Sequence, residues 1–419
     1  MGVRDWFQRR APRDLAGRRR RVTFVVTYAY ATGGVPRAVF AVAGELAERG
    51  HEVEVVSVYR THREPYADVH PAIRLTFLED RLDPDGGENL PRARRNPARS
   101  EADRELDRRP SELVAPGPDA YPAYSALTDR HLRERFAALR PGIVVTTRPE
   151  LAAAAVRWAP DDVVTVNQEH LTFAVREPDV RAALVGVRDR LDALVTLTDA
   201  DGGRWARELG DTTTRVVTIP NASSFPLGEG APLEGRVVIA GGRLTEQKAF
   251  DRLIDAFAPV ARAHPDWQLH VYGQGRLEGE LRAQVERLGL GAQVHLKGFT
   301  AEFERRLEEA SVYAMSSRYE GFPMVLVEAM TKGVPPVSMD CQSGPRQLIR
   351  DGENGLLVPR ADVAALSAGI ERLVADADLR RRLGAGALAT AADYTLPLVV
   401  DRWESLLDDL VEARDAAGR

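Results

Sequence analysis

The chain has 419 residues, of which 44% are hydrophobic and 28% charged, with a formal net charge of -5 at pH 7. The length suits two or three domains, and the negative balance argues against bulk attraction to nucleic acid, which depends on clustered positive charge. A single cysteine, Cys341, excludes an intrachain disulfide and a cysteine-based metal site. Because no apolar run reaches the length of a membrane span or forms a signal core, we expect a cytoplasmic protein.

Arginine dominates the first part of the chain. Residues 1–21 contain eight arginines and two aspartates. We interpret this segment as a solvated, mobile leader, since charge runs at termini seldom pack. The alternative is peripheral contact with the anionic inner face of a membrane.

The first domain is predicted over residues 22–220. Its opening segment has the order strand, glycine turn, helix, which is the unit that builds a parallel sheet. Gly33 and Gly34 occupy the turn, where backbone amides can approach a phosphate. Pro36 suits the first position of the helix, and Gly50 suits a left-handed cap at its end.

Short apolar and β-branched runs predict the strands of this domain. These runs span residues 22–27, 53–58, 143–147, 163–168 and 193–198. Residues 60–121 are instead rich in proline and charge, so we predict an irregular insertion there, with no assigned strand.

A second doubly wound domain is predicted over residues 236–392, after a hinge at 221–235 that is rich in serine, proline, glycine and alanine. Its predicted strands span residues 237–240, 268–272, 294–297, 312–315, 334–338 and 355–358. In residues 393–419, apolar side chains recur every three or four positions and predict a helix with one buried stripe. Two such domains form a central cleft between the carboxyl ends of their sheets, where ligands bind.

Two cations follow the first strand of the second domain. Arg243 and Lys248 stand at or just after its carboxyl end. Fixed cations there can stabilise the negative charge that gathers on a diphosphate leaving group. Spacing alone is equally compatible with an exposed pair that has no function.

Two glutamates, Glu320 and Glu328, stand eight residues apart. Pro323 opens a helix, which places Glu320 on the preceding loop and Glu328 inside the helix. Carboxylates on either side of a helix N-terminus can accept hydrogen bonds from the hydroxyls of a sugar and a ribose. The apolar neighbours of Glu328 indicate a buried helix, in which a carboxylate needs a partner.

Two common site patterns do not apply to this chain. The fingerprint G-x-G-x-x-G is absent from the first turn and no acid ends the second strand, which disfavours a nicotinamide cofactor. Asp-x-Asp occurs at residues 83–85, 199–201 and 376–378. Because this pattern is common by chance, we predict no metal site from it.

Taken together, these motifs resemble those of the family 4 retaining glycosyltransferases of GT-B fold, from residue 22 to the C-terminus. The resemblance is carried by Gly33-Gly34, by Gly242-Arg243-Leu244 with Gln247-Lys248, by Glu320-Gly321-Phe322-Pro323 with Glu328, and by Asp351-Gly352-Glu353-Asn354-Gly355. It implies two Rossmann-like doubly wound domains that face a central cleft, with a C-terminal helix that crosses back to the first domain.

The resemblance also implies roles for individual residues. Arg243 and Lys248 would hold the diphosphate. Glu320 would contact the transferred sugar and Glu328 the ribose. His170 matches the position of a family histidine near the donor sugar, although a lone histidine is more often structural. The further implied donor-binding residues are Gly33, Gly34, Gly273, Gly298, Gly321, Phe322, Pro323, Met324 and Val325.

The implied activity is a hexosyltransferase reaction with retained anomeric configuration and neither a metal nor another cofactor. The donor is a nucleotide diphosphate sugar bound by the second domain, and the acceptor is a saccharide, lipid-linked or cell-surface polymer recognised by the first. Residues 340–346 resemble those of a subgroup that builds surface polysaccharides. Ala249 departs from the family, which often has glycine after the lysine. Two alternatives stay open: a nucleotide-sugar epimerase of the same fold, and a noncatalytic sugar-nucleotide-binding scaffold.

Overall fold

The computed structural model describes residues 19–31, 33–82, 99–114, 123–341, 343–416 and 418. The chain divides into two compact units, one of Met1–Pro220 with Val399–Arg419 and one of Asn221–Leu398. Residues 1–18 of the predicted arginine-rich leader lie outside the described residues.

A seven-stranded parallel sheet forms the centre of the described part of the first unit, in the order β3-β2-β1-β4-β5-β6-β7. Its strands are β1 (Arg21–Tyr28), β2 (Glu52–Arg60), β3 (Arg74–Asp80), β4 (Gly142–Thr146), β5 (Val163–Glu169), β6 (Ala193–Thr196) and β7 (Arg215–Thr218). The order reverses between β1 and β4, so this is a doubly wound sheet whose switch point lies between those two strands.

Helices connect most of these parallel strands, as is usual for parallel pairing, but residues 61–73 join β2 to β3 without a helix. The described helices of this part are α1 (Gly34–Glu48), α2 (Glu101–Arg108), α3 (Ala126–Ala137), α4 (Pro149–Trp158), α5 (Pro178–Val185) and α6 (Asp199–Leu209). The central strands are covered on both faces, which explains their nearly continuous apolar sequences. Val25, Val56 and Val144 pack there with Phe136 of α3 and Leu151 of α4.

Two sequence predictions for this unit need correction. Residues 60–121 are not irregular throughout, because they contain β3, paired in parallel with β2, and α2. β3 is a half-exposed edge strand and α2 buries only Asp107, so neither has a strong apolar pattern. Residues 83–98 and 115–122 lie outside the described residues. In addition, α1 begins at Gly34, so Pro36 is its third residue rather than its first.

The second unit contains a six-stranded parallel sheet in its described part, with the order β10-β9-β8-β11-β12-β13. The strands are β8 (Val237–Gly241), β9 (Gln268–Tyr272), β10 (Val294–Gly298), β11 (Val312–Met315), β12 (Pro336–Met339) and β13 (Leu356–Val358). The described helices are α7 (Phe250–Ala263), α8 (Glu278–Arg287), α9 (Phe303–Glu308), α10 (Met324–Thr331), α11 (Gly344–Leu348), α12 (Val363–Ala375) and α13 (Ala377–Ala391). Here the switch point lies between β8 and β11.

The predicted return of the C-terminal helix to the first unit is confirmed. Helix α14 (Leu396–Ala416) belongs to that unit from Val399 onward. Its apolar stripe, with Trp403 at its centre, is buried. Its polar face is also paired, because Glu404 Oε1 lies 2.8 Å from His51 Nε2.

Within the described residues, one helical stretch, Ala377–Ala416, is long and apolar enough to cross a membrane by length and composition. It joins α13 and α14 through a 3₁₀ turn at Ala392–Tyr394, and 44% of its most apolar window is buried inside the fold. The sequence prediction overlooked this window. Core helices pass the same test, so the stretch is weak evidence for a membrane segment.

Candidate active site

The predicted diphosphate and sugar residues of the second unit follow two neighbouring strands. Arg243 and Lys248 lie in the segment after β8, and Glu320 lies in the segment after β11. β8 and β11 pair in parallel, so both segments leave the same edge of the sheet. This edge is at the switch point of the sheet, where doubly wound folds bind ligands.

Lys248 and Glu320 are in direct contact. Lys248 Nζ donates a hydrogen bond of 2.6 Å to Glu320 Oε1, and the hydroxyl of Ser317 donates to the same oxygen at 2.6 Å. The two charged side chains are only 16% and 7% exposed. In the part of the chain that the structure describes, Glu320 Oε2 has no hydrogen bond, so this oxygen can accept one from a ligand.

Backbone contacts hold the two segments together. Arg318 N donates to Gln247 O at 2.8 Å, and the Ser316 hydroxyl donates to Ala249 O at 2.9 Å. Ala249 has a left-handed backbone with φ of 51°. That conformation favours glycine, which gives a physical reason for the glycine expected at this position.

Arg243 is exposed and, among the described residues, its side chain makes no hydrogen bond or ion pair. Its loop is nevertheless fixed, because Gly242 N donates to Tyr272 O and Leu244 N to Gln274 O, both at 2.9 Å. Gly273 explains the close approach: a Cβ there would lie 1.8 Å from Gly242 O. The arginine is therefore a solvent-facing cation on a rigid turn.

Gly298 lies one strand further along the same edge. Gly273 N donates to Gly298 O at 2.8 Å, so the ends of β9 and β10 meet there. This contact gives Gly273 and Gly298 structural functions in addition to the predicted donor contacts.

Glu328 is buried within α10, with 1% of the residue exposed. The hydroxyl of Ser224 donates a hydrogen bond of 2.5 Å to its Oε1. Ser224 comes from the segment interpreted as a hinge, and no sequence motif indicates this contact. Helix α10 starts at Met324, so Pro323 is the N-cap residue rather than the first residue of the helix.

The remaining predicted donor residues surround the start of α10. Gly321 and the buried Phe322 precede Pro323, and Met324 and Val325 form the first turn. Phe322 packs on Tyr394 with ring centroids 5.6 Å apart. The start of α11 presses against this segment, since a Cβ on Gly344 would lie 2.5 Å from Pro323 Cδ.

Cys341 is fully buried close to Glu320. Burial, with the negative charge of Glu320 as the second cause, raises the pKa of its thiol to about 12. The thiol is therefore protonated at neutral pH, and a nucleophilic function is excluded on physical grounds.

Gly33 and Gly34 lie in the first unit, at the N-terminus of α1. Gly33 is the N-cap residue with φ of 150°, a conformation that side chains rarely adopt. Among the described residues, a Cβ on either glycine would meet nothing within 4 Å. On the side to which a Cβ would project, the described atoms therefore leave the turn open.

His170 follows β5 in the first unit and is 8% exposed. Burial, with the nearby Arg176 as a second cause, lowers the pKa of its imidazole to about 3. The ring is therefore neutral at physiological pH. Its Nε2 has no hydrogen-bond partner among the described residues, which leaves that atom available to a ligand.

Among the residues that the structure describes, no group of three or more His, Cys, Asp and Glu side chains could hold a metal ion. Of the predicted site residues, Lys248 and Glu320 are brought together by a direct bond. Gly33, Gly34 and His170 belong to the other unit.

Comparison with known proteins identifies related chains. Residues 227–389 match the family described as glycosyl transferases group 1. An exopolysaccharide phosphotransferase of Streptomyces coelicolor is 34% identical over 397 residues, which are 94% of this chain and 41% of that protein. A phosphatidyl-myo-inositol mannosyltransferase of Mycobacterium leprae is 32% identical over 264 residues, which are 61% of this chain and 69% of that protein.

Solved structures show the same fold. The crystal structure of S. aureus TarM with fondaparinux, α-GlcNAc-glycerol and UDP matches with a TM-score of 0.71 at 14% identity, over 93% of this chain and 99% of that one. The predicted GT-B fold, built from two Rossmann-like units, is thereby confirmed. This chain spans 41% of the length of the Streptomyces protein but 69% of the mannosyltransferase. The similarity to the mannosyltransferase, together with the family match over residues 227–389, shows that the chain belongs to the group 1 glycosyl transferases.

Proposed function

We propose that this chain is a retaining, metal-independent hexosyltransferase that moves a sugar from a nucleotide diphosphate sugar to a saccharide, lipid-linked or cell-surface polymer. The observation that carries the proposal is the bonded Lys248 and Glu320 pair beside the exposed Arg243, at the switch point of the second sheet. The relatives support it, because their names refer to an exopolysaccharide and to phosphatidyl-myo-inositol, and the TarM crystal contains UDP.

Arg243 and Lys248 bind the diphosphate in this proposal. Arg243 is exposed on a turn whose backbone is fixed, and its planar guanidinium presents several donors at once, so less conformational entropy is lost per hydrogen bond to the phosphate. Lys248 exchanges the carboxylate of Glu320 for a phosphate oxygen. Cations fixed in this way stabilise the charge that develops as the sugar leaves the phosphate.

The two glutamates bind the hydroxyls of the donor. Once Lys248 turns to the phosphate, both oxygens of Glu320 can accept hydrogen bonds from the transferred sugar, while Ser317 keeps its carboxylate oriented. Glu328, oriented by Ser224, accepts bonds from the ribose. In the first unit, neutral His170 bonds a sugar hydroxyl and the open Gly33-Gly34 turn offers amides to phosphate.

The anomeric configuration is retained because the reaction takes place on one face of the sugar. The bond between C1 and the phosphate oxygen breaks, and the acceptor oxygen bonds C1 on the same face. The leaving phosphate takes the proton of the acceptor hydroxyl. The cations of Arg243 and Lys248 supply the charge stabilisation, so the proposed reaction needs no metal ion.

The test is a screen of UDP-, GDP- and ADP-sugars for thermal stabilisation and slow hydrolysis, with and without a chelator. We expect one donor to bind and to be hydrolysed whether or not chelator is present. Arg243→Ala should then lower kcat/KM by roughly 100- to 1,000-fold, as for other anion-stabilising donors. Arg381→Ala, which removes an exposed arginine of the same unit, is the matched control and should leave kcat/KM unchanged.

Other results would point elsewhere. Isomerisation of the nucleotide sugar without an acceptor would favour the epimerase. Binding without any turnover, even with acceptor, would favour the scaffold. The absence of binding by every nucleotide sugar would overturn the proposal.

We further propose that the protein works in the cytoplasm, with peripheral contact between residues 1–21 and an anionic membrane surface. The arginine content of that segment supports the contact. The wild-type chain should sediment with phosphatidylglycerol vesicles, and a variant in which the six arginines of residues 1–19 are glutamines should not; Arg20 and Arg21 are kept because they pair with Asp408 and Glu52. Equal sedimentation of both would contradict the contact.

A further inference from the structure

The outer edge of β10 is free in the second sheet. Among the strands that the structure describes, β10 pairs with β9 alone. The two backbone groups of His295 bond to β9, so those of Leu296 point away from the sheet, as the alternation of a parallel ladder requires. Val294 O points outwards as well, whereas Val294 N donates to Leu290 O at 2.9 Å. Leu296 N, Leu296 O and Val294 O therefore lack a backbone partner in the described part of the chain.

A groove runs beside this free edge. It has a volume of about 360 Å³ and lies between β10 and the residues of α8 and the next turn that line it, which are Arg282, Val285, Glu286 and Gly291. A Cβ on Gly291 would meet no described atom within 4 Å, so this end of the groove is open. Domains that bind an extended peptide as an additional strand use such an exposed sheet edge, with pockets for alternate side chains.

The face of β10 that points away from α8 is positively charged. His295 and Lys297 alternate with Leu296 and so project from that face, where His295 lies against His270 with ring centroids 5.4 Å apart. Burial, and after it Lys297, lowers the pKa of both imidazoles, that of His270 to about 4. Both rings are therefore neutral at pH 7. Lys297 is exposed and forms no ion pair with a described residue, so its charge is available to a partner.

The face towards α8 has a different character. Leu296 packs against the same apolar core as Val285. Arg282 is engaged by Glu278 of the same helix, with a hydrogen bond of 2.7 Å from its Nη2. Glu286 is exposed, so a carboxylate brought to this face would be repelled, whereas an apolar side chain would be accepted. Side chains of an added strand alternate between the two faces, which predicts apolar groups towards α8 and acidic groups towards Lys297.

The same charges disfavour a second copy of this chain as the occupant. Lysine on an edge strand is a usual guard against pairing between identical edges. A second β10 would bring another Lys297 to the same face, and the two ammonium groups would repel each other. A strand with carboxylates on that face would be attracted instead.

We propose that the free edge of β10 binds an extended, acidic peptide segment of a partner protein as a seventh strand of the second sheet. Leu296 and Val294 supply up to three main-chain hydrogen bonds, and Lys297 selects acidic side chains on one face. The inference is independent of the proposed function, because Lys297 has no part in the sugar-nucleotide site. It assigns to the enzyme a surface that places it beside another protein.

The test measures fluorescence anisotropy of a labelled octapeptide of alternating valine and glutamate, with the valine and lysine octapeptide as its counterpart. We expect the wild type to bind the glutamate peptide saturably and the lysine peptide much more weakly. Lys297→Glu should weaken binding of the glutamate peptide by about 10-fold, because the attraction of one exposed charge pair becomes a repulsion of similar size. It should also strengthen binding of the lysine peptide. Arg381→Glu reverses an exposed charge elsewhere in the same unit and should bind both peptides as the wild type does.

Amide hydrogen exchange shows where the peptide binds. The unpaired Leu296 N–H should exchange fast in the free protein and be protected when the glutamate peptide is added. Binding without protection of residues 294–298, equal binding of both peptides, or binding of neither would overturn the proposal. A dimer of the wild type in light scattering that protects Leu296 N–H and excludes the peptide would also overturn it, because a second copy would then cover the edge.

The outcome does not depend on the transferase reaction. Hydrolysis of a nucleotide sugar should be the same in wild type and Lys297→Glu, and this measurement also shows that the variant is folded. Loss of peptide binding with unaltered hydrolysis supports the docking edge, whereas absence of nucleotide-sugar binding in the wild type contradicts only the proposed function.

Discussion

Lys248 Nζ lies 2.6 Å from Glu320 Oε1, so the two side chains expected to hold different parts of a donor are bonded to each other. The contact pairs a buried carboxylate with a lysine, which avoids the cost of an unpaired buried charge. It also means that binding of a diphosphate has to displace the lysine from the carboxylate.

This exchange predicts that two substitutions differ in their effect on the affinity for UDP, which lacks the sugar. Lys248→Met should weaken UDP binding by about 10- to 100-fold, because a bond to a charged group is lost. Glu320→Gln should leave the affinity unchanged or increase it, because the lysine no longer has a competing carboxylate. Isothermal titration calorimetry measures both, with GDP or ADP in place of UDP if wild type prefers either.

Asp378→Asn removes an exposed carboxylate of the same unit and serves as the control. An equal loss of affinity in Lys248→Met and Glu320→Gln would show that Glu320 itself contributes to the phosphate site. The assignment of Glu320 to the sugar would then be wrong.

The sequence revealed the parts of the fold that are buried on both faces. Strands such as β4 and β5 are continuous apolar runs, because parallel sheets are covered by helices on both sides. β7 was not predicted because it is short and all its residues are half-buried. β3 was not predicted because it is a half-exposed edge strand, and α2 was not predicted because it buries a single aspartate.

The candidate site was predictable only where a motif carried it. Arg243 and Glu328 stand in recognisable segments, whereas Ser224 and Ser317 are ordinary hydroxyl residues whose contacts depend on tertiary structure. The unpaired Nε2 of His170 was equally hidden, because sequence shows which polar residues exist but not which of their buried atoms lack hydrogen-bond partners.

Cys341 should resist alkylation in the native protein. Its pKa is raised to about 12, by burial first and then by Glu320, so the thiolate that reacts is scarce at pH 8. We expect negligible incorporation of iodoacetamide at pH 8 in the folded chain and complete incorporation in guanidinium chloride, measured by mass spectrometry. Stoichiometric labelling of the native chain would show that the thiol is exposed or ionised.

Glu404 should stabilise the attachment of α14. Its carboxylate contacts Arg49 Nη1 at 2.6 Å and His51 Nε2 at 2.8 Å. His51 Nδ1 accepts from Arg20 N, so Nε2 carries the proton and donates to Glu404. Glu404→Gln should lower the free energy of unfolding by about 1–3 kcal/mol, measured by urea denaturation with tryptophan fluorescence.

The control for this substitution lies on the same helix. Asp415 is exposed, and Asp415→Asn should change the free energy of unfolding by less than about 0.5 kcal/mol. Equal effects of Glu404→Gln and Asp415→Asn would show that the polar face of α14 does not contribute to its attachment.

His170 should make the stability of the protein depend on pH in a defined window. Its folded pKa is about 3, because of burial and Arg176, whereas an unfolded histidine titrates at its ordinary value of 6.5. Between these values the unfolded chain binds the additional proton. Stability from the neutral ring is therefore fully present above the unfolded pKa and is lost as pH falls towards the folded one, with a slope of up to about 1.4 kcal/mol per pH unit.

His170→Gln isolates this contribution from the carboxylates that also titrate in acid. Urea denaturation of wild type and variant at pH values from 7 down to 4 gives two curves, and their difference reports the histidine alone. We expect the wild type to lose more stability than the variant as pH falls, so that the curves converge or cross. Parallel curves would mean that the ring is solvated and accepts a proton in the folded chain, which would also remove the argument that it meets a sugar hydroxyl as a neutral group.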